Sequence, residues 1–202
     1  TGYRRARALN LAIAAATADY LVITDGDCVP PVDFIADHGR LAERGHFVQG
    51  GRCRVWEKHA AKFEPGDSRP WQWRLRGWME RRPNYWHWPR AWVSRNAATT
   101  LILGCNFAAW RDDVVRANGF DERFEGWGYE DSDLGFRLLN AGVKVKDVYG
   151  QAFTFHLDHP DSPRDRAAEN RALRTETRQT GRVRAVQGLD QHTVLRPEGV
   201  NR

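Results

Sequence analysis

Tyr20-Leu21-Val22-Ile23-Thr24 runs directly into Asp25-Gly26-Asp27-Cys28-Val29-Pro30-Pro31, and the fold is read outward from this junction. Five residues too apolar to alternate predict a short buried strand, and Asp-Gly followed by Pro-Pro is turn punctuation. Upstream, Arg4 to Thr17 is alanine-rich, with Leu9, Ile13 and Ala16 at helical spacing. Downstream, Val32 to Glu43 predicts a second helix with Gly45 placed to end it, and Phe47 to Trp56 predicts a strand around Gly50-Gly51. Helix, strand, helix, strand is the rhythm of an α/β layer fold, with a mixed, mostly parallel sheet flanked by helices.

The rhythm resumes in the second half. Strands are expected at Thr99 to Leu103, Asn106 to Trp110 and Val143 to Val148. Arg111 to Asn118 predicts a short helix closed by Gly119. Glu130 to Ala141 predicts a longer one, with Leu134, Leu138 and Ala141 on one face and Gly142 as its stop. Between the halves, about 58–98, lies an insertion with no regular period. It holds Trp71, Trp73, Trp78, Trp86, Trp88 and Trp92 among arginines and prolines. Three readings of it stay open: a flap whose aromatic faces cover a ligand, a patch for a lipid headgroup layer, and a locally packed insertion. Beyond Pro163 the chain is arginine-rich, with one solvated helix and a tail.

Composition bounds these readings. A chain of 202 residues has room for one domain with a substantial core. With 41% hydrophobic and 28% charged residues, disorder throughout is excluded. A net charge of +5 suits an anionic partner: a nucleotide diphosphate, a nucleic acid or an acidic membrane surface. Cys28, Cys53 and Cys105 are scattered and form no CxxC, which argues against a disulfide framework and for a reducing cytoplasm. No apolar run approaches the ~18–20 residues of a membrane span.

Three constellations can carry chemistry. In extended backbone Asp25 and Asp27 point to one side, so both carboxylates can face a hard cation such as Mg²⁺ or Mn²⁺. The plainer reading is a polar turn. In Gly126-Trp127-Gly128-Tyr129-Glu130-Asp131-Ser132-Asp133, three carboxylates crowd a helix start. The helix dipole alone accommodates anions there, but the glycines and tryptophan before them suit close approach to a sugar. One carboxylate held ionised can serve as a general base toward an alcohol. In Phe155-His156-Leu157-Asp158-His159-Pro160, two histidines three apart compete between a structural role and metal ligation.

Together these residues resemble the family 2 nucleotide-sugar glycosyltransferases of GT-A (Rossmann-like) fold, from about Arg4 to Pro160. Ala8-Leu9-Asn10 followed by Tyr20 to Cys28 is similar to the family's approach to its DxD motif. Gly104-Cys105-Asn106-Phe107-Ala108-Ala109-Trp110-Arg111, then Gly119 to Leu134, resembles the C-terminal region of the galactosyltransferase and chondroitin-polymerase branch.

The resemblance implies a metal, Mn²⁺ or Mg²⁺, held by Asp27, with Asp25 shared between metal and donor. His156 completes the metal site, with His159 as the alternative. It implies Asp131 as the general base, and Glu130, Trp127 and Gly128 positioning donor or acceptor sugar. Gly104 and Asn106 lie near the donor. The implied reaction is inverting transfer from a UDP-sugar to a glycan or glycolipid hydroxyl, without nucleic acid, in the cytoplasm and with peripheral contact to the inner membrane face.

By this resemblance, residues 1–163 form the catalytic domain and 164–202 a basic helix and tail. Nothing before Thr1 matches the strand and loop that hold the nucleotide base, so the fold is expected to lack its N-terminal nucleotide-binding section. A sugar nucleotidyltransferase, a glycoside hydrolase and a non-catalytic carbohydrate-binding module are the competing readings.

Overall fold

The computed structural model describes residues 3–62, 70–80, 91–94, 102–160 and 162–192. In chain order its first elements are α1 (Arg5–Ala15), β1 (Tyr20–Thr24), β2 (Cys28–Val29), α2 (Phe34–Leu41), β3 (His46–Gln49) and β4 (Arg52–Val55). There follow α3 (Glu57–Ala60), α4 (Pro70–Leu75), β5 (Trp92–Ser94), β6 (Asn106–Trp110) and α5 (Arg111–Arg116). The last are α6 (Glu130–Asn140), β7 (Lys144–Tyr149), β8 (Thr154–Leu157) and α7 (Ala167–Thr180), followed by a short 3₁₀ helix (Leu189–Gln191). The chain divides into two compact units. One comprises Tyr20–Trp110 and Gly142–Ser162, the other Thr1–Asp19, Arg111–Ala141 and Pro163–Arg202.

The first unit holds both sheets, and they are mixed, correcting the expectation of a mostly parallel sheet. The larger has the order β1-β6-β3-β7-β5. Only β3 and β7 run parallel in it; β1 with β6, β3 with β6 and β5 with β7 are antiparallel. The smaller, β2-β8-β4, joins β8 to β2 antiparallel and to β4 parallel. The apolar run Tyr20 to Thr24 is an edge strand only half-buried, with Thr24 exposed, and such a run carries no information about a neighbour's direction.

Three strand pairs cross from the large sheet to the small one. β1 becomes β2 through Asp25-Gly26-Asp27, β3 becomes β4 through Gly50-Gly51, and β7 becomes β8 through residues 150–153. The single strand expected over Phe47 to Trp56 is therefore two. A Cβ on Gly50 would lie 2.2 Å from the Ala152 carbonyl oxygen and 2.4 Å from Asn106 Nδ2, so only glycine fits the crossing.

One face of the small sheet is apolar. Cys53, Val55 and Phe155 cluster there with Trp73, Met79 and Phe153, and Trp78 packs against them. Trp73 and Trp78 thus belong to a local core, with ring centroids 4.8 Å apart. Trp92 on β5 is 76% exposed. Trp86 and Trp88 lie outside the described residues, as do the side chain of Trp71 and most of the strand expected at Thr99 to Leu103; Ile102 and Leu103 are loop.

In the second unit, α1 docks through a buried amide. Asn10 Nδ2 donates to the Phe120 carbonyl at 2.9 Å, and Asn10 Oδ1 accepts the Phe120 N–H at 2.8 Å. Buried on α6, Arg137 pairs with Asp133 at 2.8 Å and donates to the Ala117 and Gly119 carbonyls beyond α5. These bonds meet carbonyls left without helical partners at a helix end. Among the described residues, no helix is long and apolar enough to cross a membrane.

Candidate metal centre and acidic helix

The Asp25 to Asp27 crossing is a tight turn rather than extended backbone, because the Cys28 N–H bonds back to the Asp25 carbonyl at 3.1 Å. In such a turn the alternation of extended backbone does not relate the Asp25 and Asp27 side chains. The turn is tied to β8: the Leu157 N–H donates to the Asp27 carbonyl at 2.9 Å, and Cys28 stands opposite His156 in the ladder.

Asp27 Oδ2 consequently lies 2.8 Å from His159 Nε2 and 3.5 Å from His156 Nε2. One ligand atom from each of Asp27, His156 and His159 falls within 4.8 Å of the other two. Asp25 is not in this set; its charge acts on His156 and Cys105 from alongside.

Burial holds the His156 imidazole below its ordinary pKa; Asp27 pulls the other way, and the Arg52 charge adds to the lowering. A neutral imidazole is the form that binds metal. His156 Nδ1 is buried without a hydrogen-bond partner. His159 is pushed the opposite way, first by its bond to the Pro160 carbonyl. That bond, 2.8 Å from Nδ1, makes Nδ1 the donor and leaves Nε2 turned toward Asp27 as the coordinating atom once the ring is neutral. A carboxylate and two imidazoles converging in this way form a candidate site for a divalent cation. His159, ranked behind His156 from sequence, stands nearer to the carboxylate. Its signal was the three-residue spacing of the two histidines, with the first on a strand end and the second just past it.

Behind this site a buried polar network fixes the sheet crossings. Asn106, placed near the donor from sequence, is wholly buried. Its Nδ2 donates to the Gly51 and Ala152 carbonyls, both at 2.7 Å, and its Oδ1 faces His38 Nε2 at 3.0 Å. Asp37 on α2 accepts the Ala152 N–H at 3.0 Å. Gln49 joins β3 to the loop before β6 by accepting the Leu103 N–H at 2.7 Å. Sequence reasoning missed Asp37, His38 and Gln49, since their partners are mostly distant backbone groups. Gly104 is buried in the turn preceding β6. Next to it, the Cys105 and Cys28 thiols act on one another: Cys105 raises the Cys28 pKa, and Cys105 is itself lowered by Cys28 and by Arg52.

The other unit carries the acidic helix. Gly126, Gly128 and Tyr129 adopt φ of 72°, 97° and 78°, so the chain coils left-handed into α6. Asn170 on α7 pins this loop, donating to the Glu125 carbonyl at 3.0 Å and the Trp127 carbonyl at 3.2 Å. Arg164 lies over the Trp127 ring, 4.4 Å from its centroid.

The three carboxylates of the first turn have different settings. Asp133 is spent on Arg137. Glu130 meets Arg5 at 3.0 Å, while burial first and the Asp131 charge second raise its pKa. Asp131 is half-buried, and its Oδ1 accepts the Ser132 N–H at 2.6 Å. The structure thus gathers Asp27, His156 and His159 in one unit, and Trp127, Gly128, Glu130 and Asp131 in the other.

Two family models match the chain: glycosyl transferase family 2 over residues 1–98, and the N-terminal domain of galactosyltransferase over residues 91–160. A chondroitin synthase of Escherichia coli is 39% identical over 75 residues, or 36% of this chain and 11% of that protein. The chain thus spans about a tenth of that relative's length. Among solved structures, a mannosyltransferase from Pyrobaculum calidifontis in complex with GDP-Man and Mn²⁺ is 20% identical with a TM-score of 0.46. That match covers 88% of this chain and 41% of the other. GalNAc-T7 with UDP, GalNAc and Mn²⁺ is 16% identical, TM-score 0.48, over 80% of this chain and 32% of the other. The family 2 match over residues 1–98 overturns the expectation that the N-terminal section is lacking: a GT-A-like N-terminal domain is present. The turn accordingly falls within the family 2 glycosyl transferase match, and the histidine pair and acidic helix within the galactosyltransferase match, a glycosyltransferase fold related to the galactosyltransferase and chondroitin-synthase branch.

Proposed function

We propose that this chain carries the catalytic site of an inverting, metal-dependent hexosyltransferase. It moves a sugar from a UDP-sugar to a hydroxyl of a glycan or glycolipid. The observation that carries the reading is the convergence of Asp27, His156 and His159 at the end of β1. Residues 1–163 are assigned to the catalytic domain, with residues 164–202 as its basic helix and tail. The setting we assign is the cytoplasm, peripheral to the inner membrane face.

Asp27, His156 and His159 would hold Mn²⁺, which suits a mixed carboxylate and imidazole set better than Mg²⁺ with its preference for oxygen. A bound divalent ion neutralises charge on the departing diphosphate. Asp25, Gly104 and Asn106 shape the donor side, Asn106 by holding the carbonyls of residues 51 and 152 in place. Asp131 is assigned as the base that takes the acceptor hydroxyl proton, since Glu130 and Asp133 are buried against arginines. Glu130, Trp127 and Gly128 position the sugars. Attack by the freed oxygen on the face opposite the diphosphate inverts the anomeric carbon.

The test is turnover of a UDP-sugar panel by the full chain with candidate acceptors, with Mn²⁺ and with EDTA, following UDP and pyrophosphate separately. Metal-dependent UDP release is expected. Asp131→Asn should slow it by about 10²–10⁴-fold while UDP binding persists. Release of pyrophosphate instead would mark a nucleotidyltransferase. Binding of sugar without turnover of any donor would mark a carbohydrate-binding module.

A further inference from the structure

The small sheet has a polar face opposite its apolar one. Cys53, Val55 and Phe155 point into the apolar cluster, so alternation places Arg52, Arg54, Thr154 and His156 on the other side. In the ladder Arg54 stands opposite His156, and Arg52 opposite Thr154, two residues before it. The two arginines have different circumstances. Arg54 is ion-paired with Asp158. Arg52 is half-buried near the Cys105 thiol, and its charge is felt there and at His156. Among the described residues no carboxylate forms an ion pair with it.

A thiol is a weak acceptor, and a guanidinium has five N–H donors in a planar fork. Keeping such a group half out of water beside a metal-ligand cluster is costly unless an anion completes it. The fork matches a phosphate bidentately, and the sheet face on which it stands also carries His156.

We infer that Arg52 binds the β-phosphate of the donor nucleotide, a phosphate-positioning role resting on the transferase reading above. In the transfer step, the acceptor oxygen forms its bond to the anomeric carbon. The bond from that carbon to the β-phosphate oxygen breaks, and its electron pair leaves on that oxygen. The acceptor proton goes to Asp131. Arg52 donates N–H bonds to the phosphate as its negative charge grows, so its contribution is larger at the transition state than in the bound donor.

The experiment is calorimetric titration of UDP and of UMP into the full chain in Mn²⁺, for wild type, Arg52→Gln, Arg52→Lys and Arg54→Gln. Mn²⁺ binding without nucleotide is measured alongside. Arg52→Gln should weaken UDP by about 10–100-fold, the worth of a charged hydrogen-bonded contact. UMP, which lacks the β-phosphate, should change by no more than about threefold, and Mn²⁺ binding should be retained. Arg52→Lys keeps the charge without the fork, and its loss for UDP should be smaller than that of Arg52→Gln. It decides the matter if thermal melting shows the Gln variant unfolded: undiminished UDP affinity in Arg52→Lys then overturns the assignment. Equal weakening of UDP and UMP, or as large an effect from Arg54→Gln, also overturns it. If wild type binds neither nucleotide in Mn²⁺, the transferase reading falls first, and Arg52 with it.

Discussion

Asn106 uses both polar atoms of its side chain inside the protein, on Gly51, Ala152 and His38. Truncation would take a donor from the Gly51 and Ala152 carbonyls and leave the buried His38 imidazole short of a partner. Asn106→Ala should therefore cost about 2–4 kcal/mol, read from urea unfolding. His38 adds a pH dependence. Its pKa is lowered from 6.5, chiefly by burial, although Asn106 and Asp37 both favour the cation. Below pH 6.5 the unfolded chain takes up this proton before the folded one does, so stability falls with pH until the folded pKa is passed. His38→Gln should remove that part of the acid slope; an unchanged slope between about pH 6.5 and 5 would reject the assignment. The sequence placed Asn106 in the right strand. It could not show that the amide is enclosed, because the groups that enclose it come from residues 51 and 152.

Among the elements, legibility followed local chemistry. Four of the helices, α1, α2, α5 and α6, are close to their expected spans, since alanine content, apolar spacing and glycine stops are local signals. β2, with two residues, has too few to show a period, and β8 is recognisable only from its partners. The Gly50-Gly51 pair was visible, but its meaning was not: the crossing exists because Ala152 and Asn106 fill the space of a Cβ. Gly50→Ala should destabilise by about 3 kcal/mol or more in chemical denaturation, as it must displace backbone. Tolerance within about 0.5 kcal/mol would contradict the crossing geometry. The tie from α7 to the loop before α6 predicts a local effect instead. Asn170→Ala should speed amide exchange over residues 125–130, while exchange in β3 and β6 stays as in wild type.

Over the whole chain, the two sets of residues assigned to the reaction belong to different compact units, the cation ligands to one and the acidic helix to the other. Their assignment to one reaction rests on the order of three motifs along the chain, since no single motif specifies it. Sheet direction was not legible at all, because it depends on which distant strand fills each edge. Whether Asp27, His156 and His159 hold a divalent cation is decided by Mn²⁺ titration followed by electron paramagnetic resonance. One Mn²⁺ per full chain is expected, tightened by UDP, with binding weakened by at least about tenfold in Asp27→Ala and in His156→Ala. Stoichiometric Mn²⁺ binding that both variants retain unchanged, or no binding by wild type even with UDP, would contradict that assignment.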